Sequence, residues 1–372
     1  MNFPVTLYGY IARRFLMWFS GVFLLFIMLI YIGDFVELTR RTSARADIGA
    51  GILAKMSALK LPYEAQQVLP FAVLGGSILA LFFMTRSREL IVARAAGISV
   101  WQFLTPAIAI AFLVGVIGVA VFNPIASVAQ REYKLLETTV LKNQADSLAL
   151  NASGLWLRQS DVEGTQAVIH ALRRPAAKPG DDPTGMQLGD VSILFFRDND
   201  RLVRRIDADS ARLDSGRWVV ENGTEWRPDR DKVPFDEEVV LTNLTAQKIE
   251  ESFASPDTMS FWKLPAFIDL LEASGFSAQK HKLYFDSLLA KPFMLCAMVL
   301  IAAIFSLRMQ RRGGTTALMI GGICAGFLVY FMSDLVFALG ASATIPVVLA
   351  AWTPAVISML LGTFVLLHLE DG

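Results

Sequence analysis

The polar middle of this chain contains no cysteine, because both cysteines, Cys296 and Cys324, lie in apolar stretches nearer the C-terminus. A disulfide framework is therefore excluded as the support of a soluble domain in this region. Histidine is also scarce, and His170, His281 and His368 are too far apart in sequence to give a metal-ligand spacing. We expect no metal site.

The chain also lacks the motifs with which many proteins bind nucleotides or carry out hydrolysis. It has no G-x-x-x-x-G-K-[ST], no H-E-x-x-H and no G-x-S-x-G. Its 34 basic and 34 acidic residues cancel to a formal charge of +0, so no overall field favours nucleic acid. We expect no cofactor, no catalytic residues and no nucleic-acid partner, and energy from ATP would have to come through another protein.

Long apolar runs dominate the composition, with 54% hydrophobic residues against the ~45 to 50% usual in soluble domains. Six stretches reach or approach the ~20 apolar residues that cross a ~30 Å hydrocarbon core as a helix. Three precede a polar block and three follow it. The sequence thus predicts a polytopic α-helical membrane protein with six transmembrane helices, over residues 15–33, 65–85, 101–122, 283–307, 316–339 and 347–368.

The predicted domains follow from this layout. Residues 1–123 hold the first three spans, residues 124–282 form the polar block, and residues 283–372 hold the last three spans. Late in the block, residues 264–273 are predicted to form a helix. The function must therefore connect events in the membrane with events in one large soluble insertion.

Within the block the pattern changes from helix to strand. Pro124 is predicted to stop the third span, and residues 125–142 favour a new helix because they lack Gly and Pro. Asn222 and Gly223 have the chemistry of a hairpin turn. An inserted all-β domain is predicted at about residues 150–255, from short strand-like runs over residues 155–157, 167–172, 191–196, 217–220 and 239–244.

Arginines in the short loops predict the orientation, because basic residues accumulate on the cytoplasmic side of membrane proteins. They lie before the first span, between the second and third, and between the fourth and fifth, which is one side of a six-span chain. That side is predicted to be cytoplasmic and the inserted block extracytoplasmic. The residues concerned are Arg13, Arg14, Arg86, Arg88, Arg94, Arg308, Arg311 and Arg312.

Residues 87–97 are predicted to form a short cytoplasmic helix between the second and third spans. Ser87 suits an N-cap, Glu89 lies in the first turn where the helix dipole favours an acid, and Gly97 suits the C-terminal stop. Such a helix could dock into a cytoplasmic motor subunit, whereas the alternative is an ordinary positively charged loop. The candidate contact residues are Arg88, Glu89, Leu90 and Arg94.

Four basic residues at the predicted outer membrane face form a second candidate site. Arg40 and Arg41 end the first span, where positive charge is normally scarce, and Arg131 and Lys134 lie at i and i+3 on the helix beyond the third. Basic side chains placed there could bind phosphate, which the arginine fork contacts in a bidentate manner. Headgroup anchoring, or pairing with acids such as Glu37, explains the residues equally well.

Asp334 is the one acid deep in an apolar run, and an ionisable residue within a span is a functional candidate by default. It follows Thr316 by about 27 Å along a helix with a rise of ~1.5 Å per residue, which places it near the outer interface. A structural or gate-pairing role is favoured over a proton relay.

Several local motifs occur together along nearly the whole chain. They are Leu61-Pro62, Leu69-Pro70-Phe71, Leu74-Gly75-Gly76, residues 86–92 and 96–99, Gly154-Leu155-Trp156, Gly275 and Trp352-Thr353-Pro354. This succession resembles the LptF/LptG permeases of bacterial lipopolysaccharide export. The form Glu-Leu-Ile-Val-x-Arg-Ala-Ala-Gly, which starts at Glu89, is nearer to LptG than to LptF.

The resemblance implies a permease subunit of an ABC transporter in the bacterial inner membrane, with a periplasmic jellyroll-like β domain. The subunit would extract lipopolysaccharide from the periplasmic leaflet and pass it toward a bridge to the outer membrane. The implied partners are an LptF-like permease, an LptB-like ATPase dimer, and periplasmic LptC/LptA-like bridge proteins. An alternative is a permease that drives a periplasmic partner without moving lipid.

The resemblance also implies roles for individual residues. Glu89 matches the coupling-helix glutamate, and Arg40 and Arg41 match basic residues that contact lipid A phosphates in the family. The basic pair above the third span matches Arg131 and Lys134. A further family basic position aligns with Asp34, so part of the phosphate site is altered; we expect Asp34 and Asp334 at a gate or interface.

Overall fold

A computed structural model of the chain separates into a helical unit and a β unit. The helical unit comprises Met1–Leu141, Asp257–Leu264 and Gln279–Gly372, and the β unit comprises Lys142–Pro256 and Pro265–Ala278. The structure describes residues 5–42, 49–95, 97–137, 148–151, 154–160, 166–173, 186–197, 201–214, 216–228, 230–242, 255–273, 277–307 and 315–371.

Long helices make up the helical unit, and six of the described helical segments are long and apolar enough to cross a membrane, which confirms the six predicted spans. Helix α6 (Leu264–Ala273), predicted from the sequence, belongs from Pro265 onward to the β unit. The others are α1 (Val5–Thr42), α2 (Ala50–Arg86), α3 (Glu89–Ala95), α4 (Val100–Ile117), α5 (Asn123–Leu136), α7 (Gln279–Ser306), α8 (Thr315–Ala341) and α9 (Val347–Asp371).

The first three spans extend well beyond the stretches predicted from hydropathy. Helices α1 and α2 contain 38 and 37 residues, or about 55 Å each at ~1.5 Å per residue, against a hydrocarbon core of ~30 Å. Helix α2 also continues through Pro62 and Pro70. The apolar run marks only the part of each helix that lipid would surround, so hydropathy locates the span and misses its polar ends.

Pro124 does not stop the third span, and that prediction is wrong. A π-helical segment, Gly118–Phe122, joins α4 directly to α5, with Pro124 in the first turn of α5. Because proline has no N–H, the carbonyl four residues earlier, that of Ala120, lacks its usual donor. The indole Nε1 of Trp262 donates to this carbonyl at 2.9 Å, so the carbonyl of Ala120 has a donor although Pro124 supplies none.

Helices α2 and α7 form the centre of the helical unit. In their apolar windows 61% and 72% of the residues are buried, compared with 11% for both α1 and α8. Small residues allow the close packing: a Cβ added to Gly115 of α4 would lie 2.5 Å from the Cα of Pro292 in α7. The uncovered faces of α1 and α8 carry large apolar side chains, including Leu24, Met28, Ile32, Ile323, Phe327 and Phe331.

The β unit confirms the predicted all-β insertion. Its seven described strands form one antiparallel sheet in sequential order, and the jellyroll-like arrangement expected from the resemblance stays a prediction. Alternate residues are buried, for example Val191, Ile193 and Phe195 of β4, as the period of a strand requires. The strands are β1 (Leu148–Asn151), β2 (Gly154–Ser160), β3 (Gln166–Arg173), β4 (Met186–Arg197), β5 (Arg201–Asp214), β6 (Arg217–Arg227) and β7 (Arg230–Leu241).

Asn222 and Gly223 lie inside β6, so the hairpin turn predicted there is wrong. Asn222 has a φ of 52°, and the pairing with β5 passes from Glu221 to Gly223. A side chain at Gly223 would meet the ring of Phe235, whose atom Cζ lies 2.4 Å from the ideal Cβ position. Asn222 and Gly223 therefore mark an irregularity inside β6, at a point where the strand passes close to Phe235. Such an irregularity favours the same residue types as a turn.

A charged cluster links β5, β6 and β7 on one surface of the sheet. Arg204 Nε donates to Glu225 Oε1 at 2.5 Å and also contacts Glu238, and Arg227 Nε donates to the same Glu225 oxygen at 2.7 Å. Burial alone would raise the pKa of Glu225, but the hydrogen bond from Arg227 and the charge of Arg204 outweigh it and hold this pKa below its ordinary value.

Candidate functional site

The basic residues at the end of α1 are paired within their own helix. Arg40 Nη2 lies 2.8 Å from Glu37 Oε2, and Arg41 Nε donates to Glu37 Oε1 at 2.8 Å. Both arginine side chains remain exposed, at 77% and 58%. Exposed pairs one turn apart contribute little to stability, so either arginine can exchange Glu37 for another anion at low cost.

The two basic residues of α5 face different surroundings. Lys134 Nζ lies 2.7 and 2.8 Å from the two carboxylate oxygens of Asp257, which also accepts from Gln130 Nε2 at 3.1 Å. Arg131 is exposed and makes no ion pair with the described residues. Of the predicted pair, Arg131 thus offers its guanidinium outward, whereas Lys134 fixes the segment after the insertion to α5.

The structure brings the end of α1 next to α5. The ring of Tyr133 packs in a small apolar cluster with Leu38 of α1 and Met56 of α2. Arg41 lies within electrostatic range of Tyr133 and Glu137. The basic residues predicted from two distant segments therefore belong to one region of the helical unit, which we call the basic rim, defined by Arg40, Arg41, Arg131 and Lys134.

Asp34 has a basic partner that sequence reasoning missed. Lys60 Nζ lies 2.9 Å from Asp34 Oδ1 and 3.3 Å from Glu64 Oε1, so it joins α1 to α2. The side chain of Asp34 is only 13% exposed, and an acid removed from water in this way needs such a partner. The sequence signal was available, because Lys60 stands alone beside the Leu61-Pro62 motif. Asp34 occupies an interface between helices of this chain.

Helix α3 is shorter than the predicted residues 87–97. Ser87 ends α2, with its hydroxyl 2.9 Å from the carbonyl oxygen of Phe83, and does not cap α3. The predicted stop is confirmed: Gly97 has a φ of 82°, and its N–H donates to the carbonyl of Arg94 at 2.9 Å. Arg308, Arg311 and Arg312, predicted to lie on the same side, fall outside the described residues.

The two faces of α3 differ. Leu90 and Ala93 are buried against the core of their own chain and hold α3 in place; the predicted role of Leu90 in a contact with an ATPase stays a prediction. Val92 is 67% exposed, and Arg88 and Arg94 are exposed beside it. The free face is a small apolar centre flanked by positive charge.

Glu89 lies at the start of α3 and is tied to the first span. Its Oε1 accepts from the hydroxyl of Ser87 at 2.8 Å and lies 3.5 Å from Arg14 Nη2. Its Oε2 is shielded from solvent and has no hydrogen-bond partner among the described residues. A shielded carboxylate oxygen without a donor is unfavourable, so this end of α3 has capacity for a further donor.

A cavity of about 310 Å³ lies among α2, α7, α8 and α9. It contains Asp334, as expected of a polar position in a span, together with Lys291, which sequence reasoning missed although it interrupts an apolar run. Neither residue makes an ion pair within the part of the chain that the structure describes. The lining also includes Tyr63, Gln67, Tyr284, Ser287, Tyr330 and Ser333.

Six apolar spans, an inserted antiparallel sheet and a short helix between the second and third spans define a multi-pass membrane protein with an inserted β domain. The chain matches the model of the family "Lipopolysaccharide export system permease LptF/LptG" over residues 9–368. It therefore belongs to this family, which confirms the resemblance inferred from the sequence motifs.

Two curated relatives carry the name lipopolysaccharide export system permease protein LptG. The protein from Escherichia coli (strain K12) is 24% identical over 328 residues, which cover 86% of each chain. The protein from Haemophilus influenzae is also 24% identical, over 375 residues that cover 98% of this chain and 99% of the relative. The similarity thus includes both the spans and the insertion, and agrees with the predicted LptG-like subtype.

Proposed function

We propose that the chain is the LptG-like half of an ABC transporter that extracts lipopolysaccharide from the outer leaflet of the bacterial inner membrane. Its β unit lies in the periplasm and passes the lipid toward LptC/LptA-like bridge proteins. Membership of the LptF/LptG family over residues 9–368 supports this proposal, and the orientation agrees with the arginines beside the first, second and third spans.

The observation that carries the proposal is that the rest of the chain leaves most of α1 and α8 uncovered. Only 11% of the apolar window is buried in α1 and in α8, although α2 and α7 are mostly buried. A lipid with several acyl chains needs a wide apolar surface that one chain does not enclose. In the proposal, α1 and α8 face an LptF-like partner, and the space between the two permeases admits the acyl chains.

Positive charge at the basic rim suits the phosphates of such a lipid. Arg40, Arg41 and Arg131 are exposed, and the arginine fork can bind phosphate with two hydrogen bonds. Binding would exchange Glu37 for phosphate at the end of α1 and leave Lys134 with Asp257. The rim would then hold the headgroup while the acyl chains remain among the helices.

Energy would enter through α3. Its exposed Val92, with Arg88 and Arg94 on either side, would lie against an LptB-like ATPase dimer, and Glu89 would receive a donor from that partner. Movement of α3 is transmitted directly to the core because Leu90 and Ala93 pack there.

The proposal is tested by photocrosslinking of lipopolysaccharide to the complex assembled with its permease and ATPase partners. Replacing Arg40, Arg41 and Arg131 together by glutamine should reduce crosslinking at the rim about tenfold or more, because charged hydrogen bonds contribute about 1.5 to 3 kcal/mol each. Arg13→Gln, which changes an exposed basic residue near the opposite end of α1, is the matched control. Undiminished crosslinking in the triple variant would restrict these residues to membrane anchoring, and a complex that binds no lipid would favour a permease that only drives a partner.

A further inference from the structure

Lys291 places a positive charge within the apolar part of α7. Directly after it, Pro292 is buried, and the helix continues as an uninterrupted apolar run from Met294 to Ala303. An ammonium within a span is unfavourable unless it meets an anion or polar groups. Among the described residues no carboxylate lies within ion-pair distance of it, and the cavity beside Lys291 offers space for a compensating group.

The cavity differs in size from the wide apolar surface of α1 and α8 that export of lipopolysaccharide would use. Its volume of about 310 Å³ is at the lower end of the ~300 to 1,000 Å³ typical of small-molecule sites. It can accommodate a headgroup and is far too small for a lipid with many acyl chains.

The two charged residues of the cavity lie at different heights. Gln279 Nε2 donates to the carbonyl of Gly340 at 2.8 Å, which sets the start of α7 level with the end of α8. We call this the outer end. At ~1.5 Å per residue, Lys291 lies about 18 Å inward from Gln279, and Asp334 lies about 9 Å inward from Gly340. The acid is therefore nearer the outer end than the base.

The directions of the side chains bring the charges toward each other. In a helix the Cα–Cβ bond tilts toward the N-terminus. Because α7 starts at the outer end, Lys291 leans outward, and because α8 runs the opposite way, Asp334 leans inward. The result is a cavity with an ammonium below and a carboxylate above, separated by space instead of direct contact.

We propose that this cavity binds the headgroup of a zwitterionic phospholipid, with its phosphate at Lys291 and its primary ammonium at Asp334. Ser287, one turn before Lys291 on α7, and Tyr284, nearer the outer end of the same helix, add hydroxyl groups to the lining, and Tyr330 lies one turn from Asp334 on α8. The order of charges matches a lipid of the outer leaflet, whose ammonium lies outward of its phosphate. Of the apolar lining residues, Met294 lies inward of Lys291, whereas Leu288 and Phe337 line the part of the cavity nearer the outer end.

The test uses the full chain in its purified complex, stripped with detergent and then equilibrated with defined lipids. Native mass spectrometry counts retained phosphatidylethanolamine, phosphatidylglycerol and phosphatidylcholine, which differ in the presence and methylation of the ammonium. Wild type should retain phosphatidylethanolamine preferentially. Lys291→Met should reduce retention of both phosphatidylethanolamine and phosphatidylglycerol about tenfold or more, and Asp334→Asn only that of phosphatidylethanolamine, since each loses one charge-assisted contact.

Matched variants keep the result interpretable. Lys55→Met removes an exposed lysine outside the cavity and should retain lipid as wild type does, and Lys291→Arg keeps the cation and should restore most of the retention. Asp334 is exposed, so Asp334→Asn should fold even if Lys291→Met does not. Equal retention in wild type and Asp334→Asn would overturn the proposal, as would a preference for phosphatidylglycerol. If soluble glycerophosphoethanolamine displaced the retained phosphatidylethanolamine at the same concentration, the site would recognise the headgroup alone. That result would overturn the proposal that the ligand is a membrane lipid.

Discussion

Replacement of Glu89 by alanine separates a coupling role from a folding role. The carboxylate has an exposed ion pair with Arg14 at 3.5 Å and a hydrogen bond from Ser87 at 2.8 Å, and the two charged side chains are about one third exposed. The pair contributes about 0.2 to 1 kcal/mol and the hydrogen bond about 1 kcal/mol. Glu89→Ala should therefore lower the free energy of unfolding by no more than about 2 kcal/mol, and the complex should still assemble.

Transport should respond far more strongly. Loss of one member of a charge pair at a protein interface costs about 2 kcal/mol or more, which corresponds to roughly a 30-fold weaker contact. In proteoliposomes with the ATPase, Glu89→Ala should reduce lipopolysaccharide release per ATP hydrolysed by at least tenfold, while its melting temperature changes by only a few degrees.

Arg14→Ala is the control that isolates the ion pair. It removes the same contact within the chain and leaves the carboxylate available to a partner, so transport should remain near wild type. Equal losses of transport in the two variants would refute the reasoning, because the pair with Arg14 would then account for the whole effect.

Three further changes test the packing and the charges. Gly115→Ala should lower stability by about 1 to 3 kcal/mol in thermal unfolding in detergent, because the added Cβ would lie 2.5 Å from the Cα of Pro292, whereas Gly21→Ala has nothing within 4 Å and should be neutral. Asn123→Ala should cost about 1 to 3 kcal/mol in the same assay, since it leaves two partners of a buried amide unsatisfied. Glu225→Gln should make unfolding of the β unit, followed by tryptophan fluorescence in the full chain, less dependent on acid: the lowered pKa of this carboxyl stabilises the fold above the unfolded value of ~4.3, and the stabilisation disappears as pH falls through the folded value.

The spans were predictable because hydropathy integrates over some twenty residues, and a single proline or lysine hardly alters the sum. The same averaging does not show where the helices end, or that Lys291 places a charge within an apolar run. Pro124 was misleading because its local effect is reversed by a distant group, the indole of Trp262, which satisfies the carbonyl that proline leaves free. Local rules cannot anticipate a donor more than a hundred residues away.

Strand β5 shows a related limit in the β unit. Ile206, Ala211 and Leu213 are buried, but the pairing with β4 passes from Ala208 to Ser210, so burial along the strand does not follow a simple alternation. Arg204 is tolerated because a neighbouring strand supplies Glu225, and that pairing exists only in the folded sheet, whereas Arg205 pairs with Asp207 of its own strand. The pairing of Arg40 and Arg41 with Glu37 was predictable because it lies within one helical turn, whereas Asp257 is 123 residues from Lys134.

The uninterrupted course from α4 through the π segment to α5 makes Val100–Leu136 a single lever of 37 residues, about 55 Å long. A tilt of only about 5° about its inner end would displace the opposite end by roughly 5 Å at this length. The inner end of this helix follows α3 closely in the chain, and its outer part carries Arg131. A small change of tilt beside α3 therefore displaces Arg131, near the opposite face of the membrane, by several ångströms. Had Pro124 broken the helix, the two ends would be mechanically independent.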